Sequence, residues 1–260
     1  GFSLSSFGIF SRREKARGHP PKPGLSRQDY MGTLYIVATP IGNLEDFTFR
    51  ALRTLKEADL ILCEDTRVTR KLLAHYKIEK PLLSYHQHSK EEKMQEILDL
   101  LCQGKNLALV TDAGTPGISD PGNELIAFLV GTVPTLQIVP IPGPCALTTL
   151  ASIAGVPMDK FLFLGYPPHK KGRKKFFEEV AQSMHPVIFY ESPYRVIKSL
   201  SELSSILDTK YQMQNTRVVV GRELTKKFET VYRGTLQEVL AQFKQEKPRG
   251  EFVIVVYQEK

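Results

Sequence analysis

Two acidic residues and an arginine, in the segment Glu64-Asp65-Thr66-Arg67, follow a short apolar stretch and are the first candidates for chemistry. A carboxylate can accept a proton from a weak nucleophile, and a guanidinium can hold a phosphate or stabilise a developing negative charge. The same residues also suit the first turn of a helix, where acidic side chains complement the helix dipole. From these four residues alone, a helix start is the favoured interpretation.

A second candidate is the loop Asp112–Gly122, in which three glycines and two prolines fall within eleven residues. Such a backbone is stiff and bare, so a ligand can approach it closely. The loop follows a predicted strand, and open α/β sheets bind ligands at the carboxyl ends of their strands. Taken alone, the loop favours a ligand site and a plain strand-to-helix connection about equally.

Two further loops that contain Pro and Gly, residues 39–44 and 142–146, also follow predicted strands. Each is a weak signal alone, because Pro and Gly occur in most loops. Three such loops at strand ends are better evidence for a shared pocket. None of them matches the GxGxxG or the Walker A pattern, which argues against a nicotinamide enzyme and against a P-loop NTPase.

Five of the seven residues in His169–Lys175 are Lys or Arg, and they lie at the predicted start of a helix. Cations at this end oppose the helix dipole and cost about 0.3–1 kcal/mol each. Because stability would favour acidic residues here, we interpret the run as a phosphate-binding surface, with Tyr166 nearby to stack on a base. The candidate RNA-binding residues are Lys170, Lys171, Arg173, Lys174 and Lys175.

Neither a metal site nor a disulfide framework is expected. His86 and His88 could share one side of an extended segment, but no third ligand lies near them, so we interpret them as surface or hydrogen-bonding residues. Cys63, Cys102 and Cys145 form no CxxC pair, and their odd number fits a reducing compartment. We therefore expect a cytoplasmic protein without a metal.

The composition is that of a globular protein. The chain has 260 residues, of which 42% are hydrophobic and 24% charged, enough for one large domain or two modest ones. Apolar runs such as Ile126–Val130 are far shorter than the roughly 20 residues of a membrane span, which excludes a membrane-spanning protein. Of the net charge of +7, residues 1–30 carry +4, so whole-chain basicity says little about partners.

The elements that must position these loops alternate between short apolar segments and amphipathic stretches. This pattern predicts an α/β fold with a mostly parallel N-terminal sheet flanked by helices and a second α/β half with a mixed sheet. We expect domains over residues 31–143 and 144–260 with a ligand cleft between them. Residues 1–30 lack hydrophobic periodicity and are expected to be a leader or extension. Asn43, and Asp120 with Pro121, are predicted helix starts.

Taken in order, these motifs resemble those of the ribosomal RNA small subunit methyltransferase I family, within the tetrapyrrole-methylase-like methyltransferases. The resemblance covers residues 33–260 and is most specific in Glu64–Arg67 and Asp112–Gly122. The other matching segments are residues 34–44, 142–146, 189–193, 222–226 and 250–251. The sequence departs from the family pattern at two positions. Tyr194 stands where a His is expected, and Ala38 stands where Pro is common.

The resemblance implies two α/β domains, a homodimer, and S-adenosylmethionine bound between the domains. It also implies 2'-O-methylation of a cytidine ribose in the decoding region of small-subunit rRNA, as free rRNA or as the assembled small ribosomal subunit. Carried over by motif, the expected cofactor-binding residues are Pro40, Asp112, Gly114, Thr115, Ile118, Ser119, Cys145, Ala146, Glu191, Ser192, Gly250 and Glu251.

Methyl transfer to a ribose would need the oxygen, the methyl carbon and the sulfur in line, and a base to assist a poorly nucleophilic hydroxyl. We hypothesise that Glu64 or Asp65 assists deprotonation, while Arg67 and Lys226 hold phosphate or stabilise the alkoxide. Two alternatives stay open. One is a methyltransferase of the same fold that acts on a tetrapyrrole or a protein side chain, and the other is a non-catalytic RNA-binding module.

Overall fold

The computed structural model describes residues 31–86, 89, 91–211, 215–245 and 248–259. Two five-stranded sheets organise these residues, one formed by strands that end at Ile141 and the other by strands that begin at Leu162. The predicted leader over residues 1–30, and His88, lie outside the described residues. No helix within the described ranges is both long enough and apolar enough to cross a membrane.

The first sheet is wholly parallel, as the alternation of strands and helices predicted, with the order β3-β2-β4-β1-β5. Its short Leu-, Ile- and Val-rich strands are covered on both faces by helices, which is why their side chains are apolar throughout. The strands are β1 (Leu34–Val37), β2 (Leu60–Cys63), β3 (Leu82–Ser84), β4 (Leu107–Leu109) and β5 (Ile138–Ile141). The helices are α1 (Phe49–Glu57), α2 (Thr66–His75), α3 (Glu91–Cys102) and α4 (Asn123–Thr132).

Two helix starts differ from the prediction. Asn43 caps a short 3-10 turn, Leu44–Asp46, whereas the hydroxyl of Thr48 accepts from the backbone of Ala51 and begins α1. Helix α4 begins behind Gly122, so the prediction that Asp120 and Pro121 start it is wrong. The physical reason is the carbonyl of Pro121, which accepts from the backbone N–H of Gly117 at 3.2 Å and closes the loop on itself.

The second sheet is mixed, as predicted, with the order β6-β7-β10-β8-β9. Only β6 and β7 pair in parallel, and the other neighbours are antiparallel. The strands are β6 (Leu162–Phe163), β7 (Val187–Glu191), β8 (Thr216–Arg222), β9 (Thr230–Thr235) and β10 (Phe252–Gln258). The helices are α5 (Ala146–Ile153), α6 (Arg173–Gln182), α7 (Val196–Ile206), which continues into a π-helical turn, Leu207–Tyr211, and α8 (Leu236–Gln245).

Apolar contacts join the two sheets. One face of the second sheet packs on α6, α7 and α8 through an aromatic core that includes Phe177, Phe189 and Phe243. The other face forms a cluster with α5 and with Ile41, which comes from the loop after β1 of the first sheet. The loop after β1 is therefore fixed against the second sheet. The division into domains at residues 143 and 144 stays a prediction.

Candidate functional site

The loops that follow the central strands of the first sheet are joined by hydrogen bonds. Because β4, β1 and β5 are neighbours, the loops at their carboxyl ends lie side by side. Thr39 and Gly114 exchange two backbone hydrogen bonds, at 2.8 and 3.1 Å. The hydroxyl of Thr115 donates to the carbonyl of Pro144 at 3.0 Å. The three loops that the sequence marked as candidates thus form one rigid edge.

This edge and the second sheet enclose a cleft of about 870 Å³, its open mouth included, which we call the main cleft. The first half of the chain lines it with Ile41, Asp112, Ala113, Gly114, Thr115, Ile118, Ser119, Asp120, Cys145 and Ala146. The second half lines it with Tyr166, Tyr190, Leu224, Lys226, Glu251, Phe252 and Val253.

Most of the residues expected to bind a cofactor lie in the main cleft. These are Asp112, Gly114, Thr115, Ile118, Ser119, Cys145, Ala146 and Glu251. Four of the expected residues do not line it, namely Pro40, Glu191, Ser192 and Gly250. Several lining residues were not among the expected cofactor contacts: Ile41, Ala113, Asp120, Tyr166, Tyr190, Leu224, Phe252 and Val253.

Glu191 is buried behind the main cleft rather than facing it, at 1% relative exposure. Its carboxylate pairs with Arg195 at 2.9 Å, lies 3.9 Å from Arg173, and accepts a hydrogen bond from the hydroxyl of Ser199. The hydroxyl of Ser192 accepts from Arg195 at 3.2 Å. The expectation that Glu191 and Ser192 face the ligand is therefore corrected, because Glu191 is held between Arg195 and the buried Arg173, and Ser192 is held by Arg195.

The expectation that Arg173 binds RNA is also corrected. Its side chain is buried, pairs with Glu202 at 2.6 Å, donates to the carbonyl of Pro168 at 3.1 Å and lies over the ring of Phe177. A guanidinium held in this way anchors the loop before α6 and cannot also reach a phosphate at the surface. The other four cations of the motif, Lys170, Lys171, Lys174 and Lys175, are exposed, and we call them the lysine run.

Lys226 reaches the main cleft because Gly42 leaves room for it. A Cβ atom on Gly42 would lie 2.2 Å from Cγ of Lys226. The ammonium pairs with Glu223 at 2.9 Å and Glu251 at 2.8 Å. Burial lowers the pKa of Lys226, but the hydrogen bonds to Glu251 and Glu223 outweigh burial and raise it. Lys226 is therefore charged, and its charge is already paired.

Asp120 makes the main cleft acidic at its centre. Burial raises the pKa of Asp120, the negative charges of Glu64, Asp112 and Glu251 raise it as well, and together these causes bring it to about 7. Four carboxyl groups thus face one another across the cleft and its edge, against one ammonium that is already paired. A positively charged ligand would relieve this repulsion.

A second, open hollow adjoins the main cleft, lined by Glu64, Asp65, Thr66, Arg67, Ser84, His86 and Asp112. We call it the Glu64 hollow. Because β3, β2 and β4 are neighbours, the residues that follow them meet at this edge. Asp112 lines both cavities, and its carboxylate accepts from the backbone N–H of Asp65 at 3.1 Å.

The two carboxylates expected to act as a base differ in their surroundings. Asp65 caps α2 and pairs with Arg67, at 2.6 Å between Oδ2 and Nη2. The hydrogen bonds from Arg67 hold the pKa of Asp65 far below its usual range, so Asp65 is a weak base. Burial and the neighbouring charge of Asp112 raise the pKa of Glu64. Glu64 is the carboxylate suited to accept a proton.

His86 belongs to the same hollow, although no sequence pattern placed it there. Its Nε2 lies 2.8 Å from the hydroxyl of Ser84, and its charge lowers the pKa of Glu64 against the effect of burial. This placement agrees with a hydrogen-bonding role. Within the described ranges, no three His, Cys, Asp or Glu side chains are grouped so as to hold a metal ion.

Comparison with known proteins decides the family. The family model of the tetrapyrrole (corrin/porphyrin) methylases matches residues 33–240. A ribosomal RNA small subunit methyltransferase I of Halalkalibacterium halodurans is 46% identical over 231 residues, which are 88% of this chain and 77% of that protein. One of Thermotoga maritima is 41% identical over 228 residues, 87% of this chain and 98% of that protein. The chain belongs to the ribosomal RNA small subunit methyltransferase I family.

Solved structures agree on the fold of this methyltransferase family. The cobalamin biosynthetic enzyme cobalt precorrin-4 methyltransferase superposes with a TM-score of 0.64 at 21% identity, over 90% of this chain and 97% of that one. At this identity the likeness shows the fold alone. Methylases of this fold family use S-adenosylmethionine as the methyl donor, and it is the cofactor of this chain.

The main cleft fits this methyl donor in lining and charge. At its floor Gly114 has a φ of +84°, and a Cβ atom there would lie 3.3 Å from Ile41, so a bare backbone faces the ligand. The sulfonium of the donor is a cation, and the acidic lining suits a cation.

Proposed function

We propose that this methyltransferase transfers a methyl group from S-adenosylmethionine to the ribose 2'-oxygen of a cytidine in the decoding region of small-subunit rRNA. Two relatives named ribosomal RNA small subunit methyltransferase I support the substrate class. The observation that carries the proposed chemistry is the Glu64 hollow, an open polar cavity that shares Asp112 with the main cleft. The proposed proton acceptor, Glu64, thus lies beside the cavity proposed for the methyl donor.

The main cleft would hold the donor. The bare backbone from Asp112 to Thr115 would contact it on one side, together with Ile118, Ser119, Cys145 and Ala146. Tyr166, Leu224 and Val253 would exclude water from the other side. S-adenosylmethionine supplies an electrophilic methyl group on a positively charged sulfur. The work of the protein is then largely to align this group with the incoming oxygen.

The Glu64 hollow would receive the ribose of the target nucleotide. Glu64, with its raised pKa and partial burial, would accept the proton of the 2'-hydroxyl as the oxygen attacks. Asp65 would hold Arg67 in place, and Arg67, 83% exposed, would present its remaining N–H groups to a phosphate. Lys226, already paired with two carboxylates, would order the wall of the main cleft rather than bind phosphate.

The lysine run supports RNA as the partner. Its four ammonium groups are exposed, and α6 begins among them behind Gly172, where cations oppose the helix dipole. Tyr166, which lines the main cleft, lies in the loop that leads to this run. A homodimer, the assembled small ribosomal subunit as substrate, and a cytoplasmic location belong to the same proposal. Light scattering would test the dimer.

The deciding experiment transfers labelled methyl from S-adenosylmethionine to unmodified small ribosomal subunits and then digests the RNA with alkali. Label in an alkali-resistant dinucleotide that begins with cytidine is the expected result, because a 2'-O-methyl group blocks cleavage. Label in alkali-sensitive nucleotides would move the target to a base. Absence of label, with donor binding intact, would overturn rRNA as the substrate.

A methyltransferase that acts on a tetrapyrrole is the second candidate, favoured by the fold shared with cobalt precorrin-4 methyltransferase. Charge reversal of Lys170 and Lys171 distinguishes the two. Methylation of RNA should be lost, whereas a reaction on a small substrate should be unchanged. Reversal of Lys105 and Lys244, two exposed lysines outside the lysine run, is the matched control, because it changes the net charge by the same amount.

A further inference from the structure

Helix α2 carries a cationic face that extends beyond the Glu64 hollow. Arg67, Arg70 and Lys71 are all exposed, and the helix contains no acidic residue. Residues three and four positions apart lie on one face of a helix, so these three cations form a continuous stripe. We call it the α2 stripe. The opposite face of the helix is buried through Thr69 and Leu73.

Helix stability does not explain the α2 stripe. Arg67 lies in the first turn of α2, where a cation opposes the helix dipole, and Arg70 and Lys71 lie too far from the C-terminus to be stabilised by it. Asp65 at the N-cap pairs with Arg67. Within the described part of the chain, Arg70 and Lys71 form no ion pair. Two charges are thus left available for a ligand outside the fold.

The α2 stripe lies where an RNA substrate needs cations. Helix α2 begins directly after Glu64 and Asp65, so the stripe starts at the rim of the Glu64 hollow. The centre of the site is acidic through Asp112 and Asp120, and it repels phosphates. A polyanionic substrate that delivers its ribose there must have its phosphates held at the rims. The lysine run, beyond Tyr166, can hold phosphates, but only on the side of the second sheet.

We propose that Arg70 and Lys71 bind backbone phosphates of the RNA on the Glu64 side of the target nucleotide. The substrate would then be held at two surfaces, the α2 stripe and the lysine run, with the target ribose between them. This inference rests on the proposed function, because it assumes that the substrate is RNA. It adds a second, separate contact surface to that function.

The test neutralises the pair as Arg70→Gln with Lys71→Gln, since Gln keeps the helix propensity of the segment. Binding to unmodified small-subunit rRNA, transcribed in vitro, is measured between about 50 and 200 mM salt. We expect affinity to fall about tenfold at low salt, and the salt slope to decrease by about 1.4, because each single-strand phosphate contact contributes about 0.7. Affinity for S-adenosylmethionine, measured by calorimetry, should not change.

The matched control is Arg50→Gln with Arg53→Gln on α1. Both residues are exposed, and they line a hollow that shares no residue with the main cleft or the Glu64 hollow. Their loss should leave the affinity and the salt slope close to those of the unchanged protein. An equal decrease for the two pairs would mean that only net charge matters and would overturn the proposal.

Two other results would also overturn it. Normal RNA binding by the α2 variant would show that the stripe does not contact RNA, and a loss of donor affinity would show that the pair acts through the fold. Failure of the proposed function looks different. In that case the unchanged protein itself would bind rRNA no more tightly than the α2 variant and transfer no methyl to it.

Discussion

The main cleft and the Glu64 hollow adjoin each other and share Asp112, but they are built in different ways. The main cleft lies between the two sheets, where loops from the first sheet are joined by the Thr39–Gly114 bridge and packed against the second sheet. The Glu64 hollow is made by side chains that follow β2 and β3 on one sheet only. The main cleft therefore depends on the packing of the two sheets, whereas the Glu64 hollow depends on side chains at the edge of one sheet.

This difference predicts which substitutions affect methyl transfer alone and which also affect stability. A substitution in the Glu64 hollow can remove a functional group and leave the packing intact. A substitution in or behind the main cleft disturbs donor binding through the backbone or through buried charges. We therefore expect the two cavities to respond differently to substitution.

The largest effect is expected for Glu64→Gln, which removes the proposed proton acceptor without changing its shape. Methyl transfer in a single turnover should fall by about 10²–10⁴-fold, the usual contribution of a positioned base. Donor affinity and the free energy of unfolding should be unchanged, since Glu64 does not line the main cleft. The measurement is single-turnover transfer to rRNA alongside calorimetric titration of the donor.

Asp65→Asn is the control for this prediction. Asn also caps helices, so the N-terminus of α2 stays intact. The pKa of Asp65 is already held low by Arg67, so Asp65 contributes little as a base and a much smaller loss is expected. Equal losses for Glu64→Gln and Asp65→Asn would refute the choice of Glu64.

The second effect is on stability and concerns Glu191, behind the main cleft. Glu191→Gln removes the buried carboxylate that pairs with Arg195 and leaves Arg173 with Glu202 as its partner, and loss of one member of a buried ion pair costs about 3–5 kcal/mol. Urea denaturation measures the free energy of unfolding. Glu96→Gln, in an exposed pair with Lys93, is the control and should cost less than about 1 kcal/mol.

The outcome also tests the correction made for Glu191. If Glu191→Gln unfolded at the same urea concentration as the unchanged protein but bound the donor more weakly, Glu191 would be a ligand-contacting residue after all. The structure predicts the reverse, because the carboxylate is enclosed by arginines and by the hydroxyl of Ser199.

The sequence predicted the features that depend on local chain chemistry. The parallel sheet followed from apolar runs alternating with amphipathic helices, and the Asp112–Gly122 loop followed from its glycines and prolines. Both are confirmed, because the residues within each segment determine its structure. The cleft lining was predicted less completely: Ile41 and Val253 look like ordinary core residues until the topology brings the two sheets together.

The corrections share a different cause. Arg173 looked like one more cation in a basic run, and Glu191 like a polar group at a strand end. Their roles depend on each other and on Ser199 and Glu202, which lie on the following helix. No local pattern shows such a pairing. Asp120 was misplaced for a similar reason, since a hydrogen bond across the loop, from Gly117 to Pro121, moved the helix start.

The third effect concerns the backbone of the main cleft. Gly42→Ala places a Cβ atom 2.2 Å from Cγ of Lys226 and must displace that side chain from Glu223 and Glu251. Donor affinity should fall about tenfold, or about 1.4 kcal/mol, by calorimetry. Gly131→Ala is the control, because a Cβ atom there meets nothing within 4 Å and Ala favours the helix. Normal affinity in Gly42→Ala would mean that Lys226 does not order the cleft.

The smallest effect is a pH dependence of donor affinity, which should arise in the main cleft and not in the Glu64 hollow. Asp120, with a pKa of about 7, faces the negative charges of Glu64, Asp112 and Glu251 and is uncharged in mildly acidic solution. As pH rises through 7 the carboxyl becomes charged and the cleft attracts a cation more strongly. Affinity for S-adenosylmethionine should therefore increase a fewfold, about three to five times, between pH 6 and 8.

Asp120→Asn should make this profile flat, and the product S-adenosylhomocysteine, which lacks the positive charge on sulfur, should show no comparable rise with the unchanged protein. The stability of the free protein should move the other way. The folded pKa of Asp120 lies above its unfolded value near 4, so the stability that protonation provides is lost as pH rises through 7. Asp120→Asn should then be the more stable protein at pH 8. If the rise in donor affinity with pH persisted in Asp120→Asn, the pH dependence would belong to another group and not to the charge of Asp120.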